Sequence, residues 1–333
     1  MSAWCWERER STDNSRAGRN RGRKQIARDG KQPGAMKEEQ RMKSYDLMIV
    51  GPATRDVNID YTGEESRIVG GAVTFCTPAA AATGAKVFAA VKAAPEDTEV
   101  LRAFRLAEED RVLLPSRVTT EMRNQYFTAD RERREASCPA QSDPILPEEL
   151  PAVERKMTHL AGLLYGDFPD ELLEDLKGRG QLTADIQGFL RHNEGGKLVF
   201  HDWEKKRKYL PYFDILKTDA AEAEILTGLS DRAAAARQLI AWGVPEVLIS
   251  YNTEMLAYDG KEMLTCPVKS RQLSGRTGRG DTVFGSYIAM RVTGAEMGEA
   301  LRYATACVSL KMETPGPFSG TREDVEEYYR LFY

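Results

Sequence analysis

Ser274-Gly-Arg-Thr-Gly-Arg-Gly-Asp-Thr-Val-Phe-Gly-Ser-Tyr-Ile-Ala-Met290 crowds three glycines, Gly275, Gly278 and Gly280, into six residues and then turns helical over Asp281–Val292. A glycine-rich turn feeding a helix start leaves several backbone N–H groups without intrahelical partners and pointing the same way. With the helix dipole they form an anion site. The N–H groups of Gly278, Arg279 and Gly280 suit the charge that builds on a transferring phosphoryl group, where one preorganised donor is worth on the order of 3 kcal/mol. Asp281, at the same turn, can take a proton from a hydroxyl held beside that anion site, and phosphoryl transfer asks for little beyond positioning, charge stabilisation and such a base. The spacing and the lysine of a Walker A loop are absent, and a dinucleotide fingerprint would sit on the first strand. Taken alone, the segment is equally an Asp that caps a helix after a flexible loop.

Working outward, the chain alternates strand-like and helix-like stretches. Tyr45–Pro52 is a short apolar run ended by Gly51 and Pro52, as a buried strand should be. Strands are predicted at 86–91, 159–165, 197–201, 213–216 and 246–251. Helices are predicted at 72–83, 97–108 with Asp97 as N-cap, 169–177, 220–226 and 231–242. The pattern argues for an α/β fold, a parallel sheet covered by helices on both faces. Two stretches break the rhythm, around 60–70 and 117–139, the second carrying Arg131, Arg133 and Arg134. They read either as half-exposed strands of a small flap over a cleft or as surface loops.

Composition bounds the function. The 333 residues carry a net charge of −4, which gives no reason to expect nucleic acid as a partner. Cys5, Cys76, Cys138, Cys266 and Cys307 are scattered, fitting free thiols in a reducing compartment. None of the three histidines stands at metal-ligand spacing. No apolar run approaches the ~20 residues that span a bilayer, so neither a membrane nor nucleic acid is expected as partner and the cytoplasm is the expected location.

Thr-Gly-Arg-Gly-Asp281 followed by Thr-Val-Phe-Gly-Ser resembles the C-terminal signature of the ribokinase-like (PfkB) carbohydrate kinase family, usually written with Gly-Ala-Gly-Asp. The resemblance runs from about Asp46 to Phe318. Asp56-Val-Asn58-Ile-Asp60 with Gly70-Gly71 looks like the family's first substrate-binding segment. Lys217-Thr-Asp219-Ala-Ala-Glu222 resembles the Asn-x-x-Glu motif that organises magnesium around the phosphates. Pro315-Gly316-Pro-Phe318 resembles the late segment near the nucleotide, and Asp185, Gln187 and Arg191 a segment near the acceptor in inositol-kinase-like members. The resemblance implies a doubly wound, mostly parallel sheet with a small β lid commonly used in homodimer contact. It implies ATP and Mg²⁺ as cofactors, Asp281 as base, Gly278–Gly280 as anion hole, Asp219 and Glu222 at the metal, and Ser250, Thr277 and Gly316 at the nucleotide.

Four departures from the family pattern matter. Arg279 replaces a small residue in the anion hole. Asp219 replaces Asn, which keeps an oxygen ligand and adds a negative charge suited to a hard cation. Ser250-Tyr-Asn-Thr-Glu254 lacks the glycine-bearing turn that usually follows this strand, and Ala72-Val73-Thr74 lacks the usual Asn after Gly-Gly. The leading function is transfer of the ATP γ-phosphate to a hydroxyl of a sugar or polyol, since the Asp56/Asn58/Asp60 cluster can accept many hydroxyl hydrogen bonds. A nucleoside kinase would need an aromatic slot, which Phe75, Tyr126 and Phe127 could supply. A third reading is a non-catalytic sugar-binding regulator with the same fold. Arg134 could meet a phosphate or an acidic substrate. For Asp185 and Arg191 the plainer alternative is a turn cap and a surface cation.

Residues 1–43 hold 12 Lys/Arg against 6 Asp/Glu, a net of +6 that leaves −10 for the rest. The segment is polar and without periodicity, and is expected to be a disordered basic leader ahead of a kinase domain at 44–333. Met42 directly precedes the first credible strand, and codons for Lys37-Glu38-Glu39 can resemble a ribosome-binding site, so the leader is expected to be absent from the natural product. Intact-mass analysis of protein from its natural host checks this: a chain beginning near Met42 is expected, and one beginning at Met1 contradicts it.

Overall fold

A computed structural model describes residues 43–128 and 133–333. The readings of the leader (residues 1–42), of Arg131 and of the Arg134 side chain lie outside the described residues. The strands are β1 (Ser44–Pro52), β2 (Thr54–Ile59), β3 (Glu65–Gly70), β4 (Val87–Ala93), β5 (Arg111–Pro115), β6 (Thr120–Tyr126), β7 (Arg134–Ala140), β8 (Glu154–Leu160), β9 (Gln181–Asp185), β10 (Arg191–Glu194), β11 (Lys197–Phe200), β12 (Ile215–Asp219), β13 (Glu246–Ser250), β14 (Glu254–Tyr258) and β15 (Met263–Pro267). The helices are α1 (Ala72–Ala81), α2 (Asp170–Leu176), α3 (Gln187–Leu190), α4 (Lys206–Tyr209), α5 (Ala220–Thr227), α6 (Arg232–Ala241), α7 (Arg279–Val292), α8 (Met297–Lys311) and α9 (Arg322–Phe332).

Nine strands form the main sheet in the order β15-β14-β13-β12-β9-β8-β1-β4-β5. From β13 to β5 every pairing is parallel, while β14 and β15 close one edge with antiparallel pairings. Side chains alternate across a strand, and β1 shows the consequence. Leu47 and Ile49 enter one core with α1, α7, α8 and α9, while Met48 and Val50 enter the other with α2, α5 and α6. A strand buried on both faces reads as an unbroken apolar run, as Leu47–Val50 does. The expected α/β architecture, a mostly parallel sheet covered by helices on both faces, is therefore present.

The lid is larger than expected. Six strands, in the order β10-β11-β7-β6-β2-β3, make a second sheet. The flap reading of 60–70 and 117–139 holds for β3, β6 and β7, and β2 joins them by pairing parallel to β6. The strand at 197–201 is real, but it pairs with β10 and β7 in the lid and not in the main sheet. The main sheet takes β9 instead, whose Gln181–Asp185 run follows a glycine turn too closely to show a pattern of its own.

The helix expected at 97–108 does not form. Thr98–Phe104 and Glu108–Asp110 are short 3₁₀ turns separated by Arg105 at φ 55°, and Asp97 makes no side-chain cap. Its carboxylate instead takes Arg55 Nη1 at 3.3 Å. The competing ion pair removes the N-cap on which the helix depended.

Helices α1 and α7 lie against each other under the cleft. A Cβ on Gly285 would stand 2.5 Å from the Cys76 carbonyl oxygen and 2.8 Å from its Cα. Overpacking a backbone-to-backbone contact has no side chain to yield, so Gly285→Val is expected to cost about 2 kcal/mol or more, read from urea unfolding. A change within about 0.5 kcal/mol, the ordinary surface range, would contradict this packing.

Candidate active site

The parallel strands deliver their C-terminal ends to one edge, where ligands gather in open α/β sheets. There Asp185 ends β9, Asp219 ends β12 and Ser250 ends β13. Above them α7 begins. Gly278 adopts φ 75°, a left-handed conformation suited to glycine, and Thr282 N–H donates the helix's first bond to Gly278 O at 2.9 Å. The N–H groups of Arg279, Gly280 and Asp281 precede that bond and face outward from a helix start. Beneath Gly278 lies the Phe75 ring, which a Cβ would strike at 2.1 Å. Phe75 is thus a floor for the turn and is not open to a nucleoside base.

The loop leading into α7 is pinned from below. Gly275 N–H donates to Met312 O at 2.8 Å. Lys311, at the end of α8, donates from Nζ to Gly275 O at 2.6 Å and also to Thr277 O. Burial pulls this lysine down to about 8, with Asp281 opposing.

Lys217 stands in the middle of the site. Its Nζ lies 2.7 Å from Asp185 Oδ2 and 3.7 Å from Glu222 Oε2, with all three side chains buried. A Cβ on Gly280 would lie 3.0 Å from the same Nζ. Burial works against its charge, but Asp185, Glu222, Asp219 and Asp281 outweigh it and hold the lysine firmly protonated. Burial raises Asp281 to about 6, with Asp185 adding to the rise and Lys217, Arg191 and Lys311 opposing it. A carboxylate in that range is ionised at neutral pH and still basic enough to accept a hydroxyl proton.

Asp219 and Glu222 form a reciprocal cap of α5, each accepting from the other's backbone N–H at 2.8 Å. Burial raises Glu222 to about 7, opposed mainly by Lys217. Among the described residues no group of three or more His, Cys, Asp or Glu is set to hold a metal by itself. Asp219 and Glu222 put two carboxylates at one helix start, which fits magnesium, since that ion usually keeps waters and takes one or two carboxylates beside substrate phosphates. Asp219, which lines the cleft, would be its ligand, and Glu222 would hold Asp219 in place.

Arg191 braces the Leu163–Leu164 turn from β10. Its Nε donates to Leu163 O at 3.0 Å, while Nη2 is buried without a hydrogen-bond partner. Asp167 fixes the same turn, Oδ2 accepting from Leu163 and Leu164 N–H at 2.8 Å each. Asp185 does cap Gln187 N–H, at 3.1 Å, but it is also the ion-pair partner of Lys217. Arg191 is no surface cation.

A cleft of about 510 Å³ opens at this edge, with Asp185, Arg191, Glu222 and Lys311 outside its wall. It brings together Gln187, Asp219, Ser250, Thr277 and the Gly278–Asp281 turn from the sequence-derived set, and adds Lys217, Asn252 and Arg276. Tyr126 and Leu273 are its apolar members. Other expected residues lie outside its wall. Asp60 caps the β2–β3 turn, its Oδ1 accepting from Thr62 N–H at 2.8 Å and Glu64 N–H at 3.0 Å. Asn58 takes Asn124 Nδ2 at 3.1 Å, and Asp56 takes Thr54 Oγ1 at 2.5 Å. Gly70 sits against that Asp56 carboxylate, and Gly71 turns the chain into α1. Gly316 belongs to the loop after α8, with nothing close to its α-carbon's open side. Phe127 is exposed beneath Arg133.

Lys217 and Lys311 escaped the sequence reading, although each carried a signal. Lys217 directly follows the apolar pair Ile215-Leu216 in the segment quoted for its acids, and Lys311 closes the run Ala304–Leu310 of small and apolar residues.

Among the described residues no helix is long and apolar enough to cross a membrane. The pfkB family carbohydrate kinase profile matches residues 118–323. A pyrophosphate-dependent kinase of the ribokinase family, solved with a pyrophosphate analogue and myo-inositol, is 33% identical with a TM-score of 0.76, over 84% of this chain and 99% of that one. Arabidopsis thaliana ribokinase, solved with ribose and ATP, shares the fold at 15% identity and a TM-score of 0.68, over 86% of this chain and 99% of that one. Cytidine kinase of Thermococcus kodakarensis is 26% identical over 269 residues, 77% of this chain and 92% of the relative. The chain belongs to the PfkB family of carbohydrate kinases.

Proposed function

We propose that this kinase moves a terminal phosphoryl group from a magnesium-bound donor to a hydroxyl of an inositol-like polyol, with Asp281 as the base. The observation that carries the reading is the Asp281 carboxylate in the first turn of α7, beside the Arg279, Gly280 and Asp281 N–H groups that precede the helix's first bond, and burial raises that carboxylate to about 6. The acceptor hydroxyl gives its proton to Asp281 as its oxygen attacks the terminal phosphorus. The N–H groups of Arg279 and Gly280 receive the charge on the transferring group, and the Lys217 ammonium beneath Gly280 sets a positive charge against it. Magnesium, when bound, neutralises donor phosphate oxygens beside Asp219.

For the donor we favour inorganic pyrophosphate over the ATP expected from sequence. The cleft lining is polar apart from Tyr126 and Leu273, whereas a nucleoside base seeks a mostly apolar slot. The 33%-identical structure is of a pyrophosphate-dependent enzyme that holds myo-inositol. ATP remains the second reading, supported by the shared fold of an ATP-bound ribokinase. Arg191 Nη2, buried and unpaired, supports a hydroxyl-rich acceptor. Among the described residues four free, buried cysteines suit the cytoplasm, and exposed Ile68 and Phe127 at the lid support pairing of two copies through that sheet.

Product release from pyrophosphate and ATP, measured with sugars, polyols including myo-inositol, and nucleosides, is the direct test. Turnover of a polyol with pyrophosphate is expected to exceed that with ATP. A nucleoside used best with ATP would contradict both choices. Because the folded pKa of Asp281 is raised, the ionised base is lost as pH falls through about 6, so kcat/KM is expected to drop tenfold per pH unit below it. Asp281→Asn is expected to lower kcat by at least 100-fold. It should also leave the protein no less stable at pH 7, since an ionised carboxylate with a raised pKa opposes folding there. Wild-type turnover in that variant, or a flat profile between pH 5 and 7, would remove the base assignment.

A further inference from the structure

Strand β13 passes into β14 through Tyr251-Asn252-Thr253, a tight connection closed by Tyr251 N–H donating to Glu254 O at 3.0 Å. From this turn Asn252 reaches over the cleft, and its Oδ1 accepts from Arg279 Nη1 at 2.8 Å. The turn is braced from behind. Arg232, opening α6, ion-pairs with Glu254 and lies over the Tyr251 ring at 4.7 Å. Arg279 therefore does not sweep solvent. It is tied to a turn that is itself held by a charge pair and a ring contact.

The bridge sits at the donor end of the site. Asn252, Arg276, Arg279 and Asp219 all line the same cleft, and Asp219 and Arg276 are the charges that act on the Arg279 guanidinium. A guanidinium carries five N–H donors in a rigid fork. One nitrogen bound to Asn252 leaves most of that fork for an anion, and arginine prefers to meet phosphate through two parallel bonds.

We propose that Arg279, held by Asn252, is a donor-selecting clamp that grips the phosphate destined to leave and favours a condensed inorganic phosphate over a nucleotide. This rests on the pyrophosphate reading above. In the transfer the donor's P–O–P bond breaks, and the bridging oxygen departs with its electron pair on the leaving phosphate. The acceptor oxygen forms the new bond to phosphorus, and its proton goes to Asp281. In pyrophosphate the phosphate that leaves has three non-bridging oxygens open to the fork, whereas in ATP the β-phosphate has two, because a second anhydride ties it to the α-phosphate, so the clamp discriminates where the two donors differ. A clamp fixed by a short side chain also holds Arg279 at one distance from the anion site, which suits a donor of one length.

The test compares the wild-type chain with Asn252→Ala and Arg279→Lys. It reads kcat/KM for pyrophosphate and for ATP with a fixed polyol, together with calorimetric Kd values for pyrophosphate and ATP in magnesium. Asn252→Ala is expected to lower the pyrophosphate-to-ATP ratio of kcat/KM at least tenfold, chiefly through the KM for pyrophosphate. The KM for the polyol and the melting temperature should stay in place, and the Kd for pyrophosphate should weaken at least tenfold. Arg279→Lys should shift the ratio the same way, because a lysine keeps the charge and loses the fork. Ratios and affinities within twofold of wild type, an equal fall for both donors, or full rescue by lysine would overturn the clamp while leaving the donor reading intact. A wild-type chain that binds no pyrophosphate would overturn both together.

Discussion

The buried pair of Lys217 and Asp185, 2.7 Å apart at the ends of two neighbouring central strands, is the contact on which the site depends. A buried ion pair gains little net stability over apolar packing, yet losing one partner costs about 3–5 kcal/mol because a lone charge is left behind. Here the pair does more than tie β9 to β12. It brings a permanent positive charge directly under Gly280, where a helix start already concentrates positive potential. Of the acids that keep Lys217 charged, Asp185, Glu222, Asp219 and Asp281, two also act in the proposed reaction, Asp219 at the magnesium and Asp281 as the base.

The balance of the cluster follows. Burial alone would neutralise Asp281, Glu222 and Lys311, and each is displaced in that direction. Their opposite charges limit the displacement, so the carboxylate of Asp281 comes to rest close to physiological pH. Groups tuned in this way cluster at functional sites. Lys311 adds a mechanical part, since the bonds that take up its charge also fasten the loop carrying Gly278. The lid meets this machinery through Tyr126 at the cleft and through Cys138 and Met122, which pack on the Leu163–Leu164 turn held by Asp167 and Arg191.

The architecture was legible in the sequence because local pattern encodes it. Apolar runs such as Leu47–Val50 and the alternation of strands with helices specify a parallel sheet without any knowledge of contacts. The turn at Gly275–Asp281 was legible for the same reason, since glycine spacing and a helix start are neighbours in sequence. What escaped was decided by partners far along the chain. Asp97 looks like a helix cap until Arg55 takes it. Asp60 looks like a sugar ligand until the β2–β3 turn uses it. The strand at 197–200 carries no mark that assigns it to the lid, and Asn252 becomes informative only when Arg279, 27 residues later, bonds to it.

Diffraction from crystals grown with magnesium, a non-hydrolysable pyrophosphate analogue and myo-inositol tests the central claim most directly. The account predicts the analogue's terminal group within hydrogen-bond distance of the Arg279 and Gly280 N–H groups, its far phosphate on the Arg279 side chain, and a polyol hydroxyl in hydrogen-bond reach of the Asp281 carboxylate. An analogue bound away from the start of α7, or a polyol with no oxygen near Asp281, would contradict it.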